Sequence, residues 1–241
     1  MSFNRRSMST AIADTEPGRR VEIAGEGAFP VALEGLPYIL GAFILALATG
    51  VLVHWTLALP FLAFALFASW FFRNPTRTTP LDPDAVISPA DGTICQIAEV
   101  EESEHLKSKA TRVSIFMSVV NVHINRAPLA GRVLATRHTP GRFAVASLDK
   151  ASTENERNAI LMEAPGGRKV LFTQIAGSIA RRIVCYAAPG DSLAAGQRFG
   201  LIRFGSRVDV FLPAGSRCLV SVGQKVVGGE TLLGRFQGSE P

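Results

Sequence analysis

Three residues of this chain are of types that together could move a proton and attack a carbonyl: Asp91 in SPADGT, His123 in SVVNVHINRAP and Ser206 in LIRFGSRVDVFLP. A carboxylate can orient an imidazole, the imidazole can take a proton from a hydroxyl, and the oxygen can then attack. Each also has a plain structural explanation. Pro-Ala-Asp-Gly is good turn chemistry, a lone histidine near a strand end is commonly a hydrogen-bonded core residue, and Gly-Ser inside a strand commonly marks a bulge. Gly177-Ser178, Gly215-Ser216 and Gly238-Ser239 are accounted for by a strand end, a turn and a polar tail. Gly205-Ser206 alone is embedded between apolar residues without turn signals at its flanks. The sequence lacks G-x-S-x-G, so it does not read as an ordinary serine hydrolase. The carbonyl nearest to Ser206 is that of Gly205 itself, which makes an internal attack the sharper reading. His105 and His138 stand in polar surroundings and His54 between two apolar runs, so they are weaker candidates.

The elements that must position these residues fall into three stretches. Residues 1–35 are a polar tail, 36–72 a hydrophobic anchor and 73–241 a β-rich catalytic domain. The apolar surplus of the 241-residue chain, 47% hydrophobic with 19% charged residues, is concentrated between Leu36 and Phe72, where no Asp, Glu, Lys or Arg occurs. Leu36–Val53 and Trp55–Phe72 are each close to the roughly 20 residues that span a bilayer as a helix. A helical hairpin is preferred to one long kinked helix, because His54 and Trp55 separate the runs and arginines stand on both flanks: Arg5, Arg6, Arg19 and Arg20 before, Arg73 and Arg77 after. A cleaved signal peptide is disfavoured by the long polar tail ahead of the segment. Beyond the Pro- and Thr-rich linker of residues 73–84, short β-rich runs separated by Gly, Pro, Asp and Asn predict a sandwich or barrel-like domain. RFGLIRFGSRVDVFLP reads as one strand, and residues 144–158 as a long polar loop. The segments Gly190–Ile202 and Gly223–Arg235 share G-x-x-Φ-x-x-G-[QE]-x-Φ and resemble lipoyl- and biotinyl-type β-hammerheads, without the modifiable Met-Lys-Met of those carriers.

Cys95, Cys185 and Cys218 are widely spaced and suggest neither a disulfide framework nor a zinc site. The net charge of +5 has no basic-aromatic clustering behind it, so an anionic membrane explains it better than nucleic acid.

FFRNPTR, SPADGTI, FMSVVNVHINRAP, ENERN, QIAGSIARRIV and GLIRFGSRVDVFLP, in that order, resemble the phosphatidylserine decarboxylases of the short, membrane-anchored class. The chain departs from the longer class, which has Leu-Gly-Ser-Thr where this sequence has Phe204-Gly205-Ser206-Arg207, and a histidine where it has Val120. The resemblance implies a pyruvoyl enzyme that needs no external cofactor. Ser206, activated by His123 with Asp91 orienting it, would attack the carbonyl of Gly205, and β-elimination would leave two associated chains, the second capped by a pyruvoyl group. That group would bind the amine of phosphatidylserine as a Schiff base and release CO2, with His123 returning the proton. Further implications are an inner-membrane site with the catalytic domain on the cytoplasmic side, contacts from Arg126 and Arg207, or Arg181 and Arg182, to the lipid phosphate, and a possible homo-oligomer. Two rivals are a tethered binding domain without chemistry and a pyruvoyl decarboxylase for another headgroup.

Overall fold

A computed structural model describes residues 20–22, 30–142, 154–177, 182–203 and 206–237. The uncharged segment forms two antiparallel helices, α1 (Leu36–Leu52) and α2 (Leu59–Phe71), joined by a short 3-10 turn at Trp55–Ala58. Pro37 and Pro60 stand in the first turns, where a missing N–H leaves no intrahelical bond unmade. The helices meet along small side chains, Ala42 and Ala46 of α1 and Ala65 and Ala68 of α2, all buried, while Leu40, Phe43, Ile44, Leu47 and Leu66 point outward. Close backbone approach through alanine is how apolar helices associate where lipid-like surroundings give no hydrophobic drive. The hairpin's base is closed by the main chain: Ala32 N–H donates to the Phe72 carbonyl at 2.7 Å, and Asn74 N–H to the Pro30 carbonyl at 2.7 Å. Both ends therefore emerge at one place. The stretch Leu33–Leu52 is long and apolar enough to cross a membrane.

The remainder is mainly β, with strands β1 (Arg20–Glu22), β2 (Thr78–Pro80), β3 (Ala85–Ile87), β4 (Gly92–Glu102), β5 (Ser108–Met117), β6 (Ile124–Arg126), β7 (Gly131–Thr139), β8 (Arg157–Glu163), β9 (Lys169–Ala176), β10 (Ile183–Cys185), β11 (Ser192–Leu193), β12 (Arg198–Ile202), β13 (Ser206–Pro213), β14 (Ser216–Cys218), β15 (Lys225–Val226) and β16 (Leu232–Phe236). An eight-stranded antiparallel sheet has the order β11-β7-β8-β9-β13-β5-β4-β15. Small sheets β10-β12-β6 and β14-β16-β3 lie beside it, and β1 pairs with β2 inside the stretch read as a linker. Alternation sets the core: Val113, Ile115 and Met117 of β5, Val170 and Phe172 of β9, and Val208, Val210 and Leu212 of β13 share one buried face.

The weak internal repeat is structural. β11 and β15 form the two edges of the large sheet, and each is followed by a strand of a small one, β12 or β16. Gly190 and Gly196 in the first copy match Gly223 and Gly229 in the second, all with positive φ between 75° and 95°, a conformation that L side chains rarely adopt.

The stretch expected to be one strand is two. β12 pairs with β6 and β10 in a small sheet, whereas β13 pairs with β5 and β9 in the centre of the large one, so the chain changes sheets across residues 203–205. The break lies beside Ser206. Phe204 and Gly205 lie outside the described residues, as do most of the 144–158 loop, residues 178–181 and the C-terminal Gly-Ser pair.

Candidate active site

Ser206 opens β13 and is fully buried, its main chain facing Met117 of β5 on one side and Ala176 of β9 on the other. Its Oγ donates to the Met117 thioether at 3.3 Å. A thioether is a weak acceptor, so this contact leaves the hydroxyl open to a stronger base. Behind it runs a chain of buried amides: Asn125 Nδ2 approaches the same sulfur at 3.8 Å, Gln174 Nε2 donates to Asn125 Oδ1 at 2.8 Å, and Asn158 Nδ2 to Gln174 Oε1 at 3.1 Å. These amides satisfy one another in a core that offers little else, which fixes their orientation.

His123 directly precedes β6, and its carbonyl accepts from Ile202 N–H at 3.2 Å, four residues ahead of Ser206. The imidazole is 2% exposed. Nδ1 lies 3.0 Å from the Asn121 carbonyl, an acceptor, so Nδ1 carries the proton and Nε2 of the neutral ring holds the lone pair. The Phe71 ring, the last residue of α2, lies against the imidazole with centroids 4.2 Å apart. Burial, with the Arg73 cation as a lesser contributor, lowers the His123 pKa from 6.5 to about 4, opposed by the bond to Asn121. The ring is therefore neutral at pH 7.

Asp91 sits in the turn before β4, as expected, but not as the partner of His123. Its carboxylate is gripped by Arg77 Nη2 at 2.8 and 3.0 Å and accepts Gly228 N–H at 2.8 Å, joining the linker, the turn and the second repeat copy. The contact expected from Asp91 is made by the Asn121 main chain.

The two arginines expected to meet a lipid phosphate are internal. Arg207 is fully buried and holds Asp209 through Nε at 2.6 Å and Nη2 at 3.1 Å, with Nη2 also donating to Ser114 Oγ at 2.7 Å. Residues 207 and 209 fall on one strand face, which brings the charges together. Arg126 donates to the carbonyls of Gly196 and Pro75 and to Asn74 Oδ1 at 3.1–3.2 Å, and its pKa falls to about 10, chiefly by burial and then by the nearby Arg198. Both cations are committed to the fold. Arg181 lies outside the described residues, and Arg182 is exposed.

Arg73, expected only as a basic flank of the apolar segment, is a cation close to His123. It donates to the Trp70 and Val120 carbonyls at 2.8 Å each and lies 4.3 Å from the centroid of the Trp70 ring. Its position directly after the apolar run was the available signal. Phe71 and Asn121 were missed, the first hidden in an apolar segment and the second acting through its backbone. Among the described residues no group of three or more His, Cys, Asp or Glu could hold a metal ion.

The site thus combines a buried serine at the head of a central strand with a neutral, buried histidine against which the last residue of the apolar hairpin packs. The phosphatidylserine decarboxylase family profile matches residues 64–234. The chain is 50% identical over 210 residues to a phosphatidylserine decarboxylase proenzyme of Geobacter metallireducens, covering 85% of this chain and 96% of that one. It is 50% identical over 206 residues to that of Nitrosomonas europaea, with 86% and 95% covered, and 48% identical over 205 residues to that of Geotalea uraniireducens, with 85% and 96% covered. The chain belongs to the phosphatidylserine decarboxylase family and is an enzyme of that family.

Proposed function

We propose that this chain converts phosphatidylserine to phosphatidylethanolamine and CO2 by means of a pyruvoyl group made from its own Ser206. The observation that carries the reading is that Ser206, fully buried, is the first residue of the central strand β13, directly after the chain has left β12 of a different sheet. His123 Nε2 takes the proton from Ser206 Oγ, the oxygen attacks the Gly205 carbonyl carbon, and the amide becomes an ester. Loss of the Ser206 Cα proton expels the chain ending at Gly205 as a carboxylate. The dehydroalanine that remains takes up water and releases ammonia.

The residues present suit such a group. Met117 and Ala176 hold the main chain of Ser206 from both sides, and the thioether offers no competing nucleophile or acid. When formed, the group supplies a ketone to bind the serine amine and a neighbouring carbonyl to take up the electron pair left by CO2. All eight residues of β13 pair with β5 and six pair with β9, so the smaller chain stays in place after cleavage. Phe71 keeps water from His123. The substrate's ammonium must shed a proton before its nitrogen bonds to carbon, and in this reading His123 receives that proton and returns it to the substrate carbon, a role supported by its neutral, buried ring. Arg73, whose charge reaches His123, takes the lipid phosphate. The hairpin sits in the inner membrane with both ends on the cytoplasmic side, as its basic base favours.

Reductive trapping tests this reading. Borohydride added during turnover of phosphatidylserine should join lipid covalently to the fragment derived from residues 206–241. Turnover with no adduct on that fragment contradicts the assignment.

A further inference from the structure

The loop between β5 and β6 carries an anomaly that folding does not explain. Ser118–Asn121 is a closed turn: Asn121 N–H donates to the Ser118 carbonyl at 3.0 Å, and Asn121 Oδ1 accepts Ser118 N–H at 2.9 Å and its hydroxyl at 2.7 Å. The two central positions of such a turn favour Gly, Asn, Asp or Pro. Here they are Val119 and Val120, 40% and 61% exposed. Two stiff apolar side chains at the tip of a rigid turn leave a substantial part of their surface uncovered, Val120 most of it.

What lies beside the turn indicates what covers it. The Val120 carbonyl accepts from Arg73 Nη2 at 2.8 Å, and the same guanidinium stacks on Trp70, in the last turn of α2 and 43% exposed. The turn is thus one arginine away from the hairpin's apolar outer surface. A tryptophan and an arginine at the end of an apolar helix mark the headgroup depth of a bilayer, the ring amphipathic and the cation reaching for phosphate.

We propose that the Ser118–Asn121 turn is a second membrane contact, in which Val119 and Val120 enter the boundary between headgroups and acyl chains beside the hairpin. The inference rests on the reading of the hairpin as membrane-inserted. It has a consequence for the site, because Asn121, which closes the turn, also gives its carbonyl to His123 Nδ1. Lipid contact at the tip holds the segment that fixes the catalytic imidazole. A serine headgroup at that depth meets the site without its acyl chains leaving the bilayer.

The test uses the full chain with Cys95, Cys185 and Cys218 replaced by alanine and an environment-sensitive nitrobenzoxadiazole probe on V120C. The control is S108C, an exposed position that opens the strand Met117 closes, about 30 Å away along β5. With vesicles of phosphatidylserine and phosphatidylcholine, the probe at 120 should shift to the blue and brighten about twofold or more, whereas the probe at 108 should not change. A chain that floats with the vesicles while the probe at 120 stays in water overturns the proposal and leaves the hairpin reading intact; the turn then faces water or a protein. A chain that does not float at all removes the hairpin reading and this proposal together. If the cysteine-free chain does not fold, Val120→Asp in the native background decides. Vesicle partitioning at least about fivefold weaker, with an unchanged thermal melt, supports the contact, and unchanged partitioning refutes it.

Discussion

Phe71→Ala should change the pH dependence of self-cleavage more than its rate at neutral pH. The ring lies 4.2 Å from the His123 imidazole, and burial is the leading reason that the pKa of this histidine is about 4 instead of 6.5. At pH 5 the native imidazole is about nine-tenths neutral, so the base should be nearly as available as at pH 7.5. Stripping off the ring admits water and raises the pKa toward its ordinary value; at about 6, roughly one-tenth of the ring is neutral at pH 5. The ratio of cleavage rates at pH 7.5 and pH 5 should therefore be close to unity in the native chain and about tenfold in the variant. Pulse-labelled chain from cell-free synthesis, moved into buffers from pH 4.5 to 8 and followed on denaturing gels, gives that ratio within each variant. Loss of the ring also lowers stability by about 3–5 kcal/mol, so Phe71→Leu serves as the milder variant and should give an intermediate ratio. A Phe71→Ala profile as flat as the native one would refute the shielding argument, and a native profile that bends near pH 6.5 would refute the neutral buried base.

Three further outcomes follow from the same geometry. Because the His123 pKa is depressed below its unfolded value of 6.5, its contribution to stability is complete above about pH 6.5 and is lost as pH falls toward 4, by at most about 3–4 kcal/mol; between pH 7 and 4.5 the drop in urea-unfolding stability should be smaller in His123→Gln by about 2 kcal/mol. Arg207→Ala leaves Asp209 buried without its cation and should cost about 3–5 kcal/mol, whereas replacing both residues by apolar ones of similar volume should recover most of it in the same unfolding assay. Asp91→Asn loosens Arg77 and the Gly228 turn and should slow self-cleavage without moving its acid limb, because Asn121 and not Asp91 holds the imidazole; a displaced limb in the same pulse-label assay would show a direct contact in the working state.

Much of the architecture was legible because it depends on local pattern. An uncharged stretch interrupted by His54-Trp55 reads as two apolar helices, and the glycine spacing of the repeat reads as two copies of one turn-strand-turn unit, since both signals lie within a few residues. The division of residues 198–213 between two sheets was not legible. Its composition is continuous, and the break is set by partners far away in the chain, β6 and β10 for one half and β5 and β9 for the other. At the site, Ser206 and His123 stood out by residue type. The Asn121 contact is a main-chain carbonyl and leaves no trace in side-chain identity. Arg207 was misread although its signal was present: Asp209 falls on the same strand face two residues on, a spacing that suits a buried pair better than a phosphate.

The most direct test of the central claim is the intact mass of the purified chain beside its Ser206→Ala variant. The account predicts two native fragments split after Gly205, the smaller one blocked by a pyruvoyl group, and a variant that remains whole. A native chain that is folded, active on phosphatidylserine and uncleaved would contradict it.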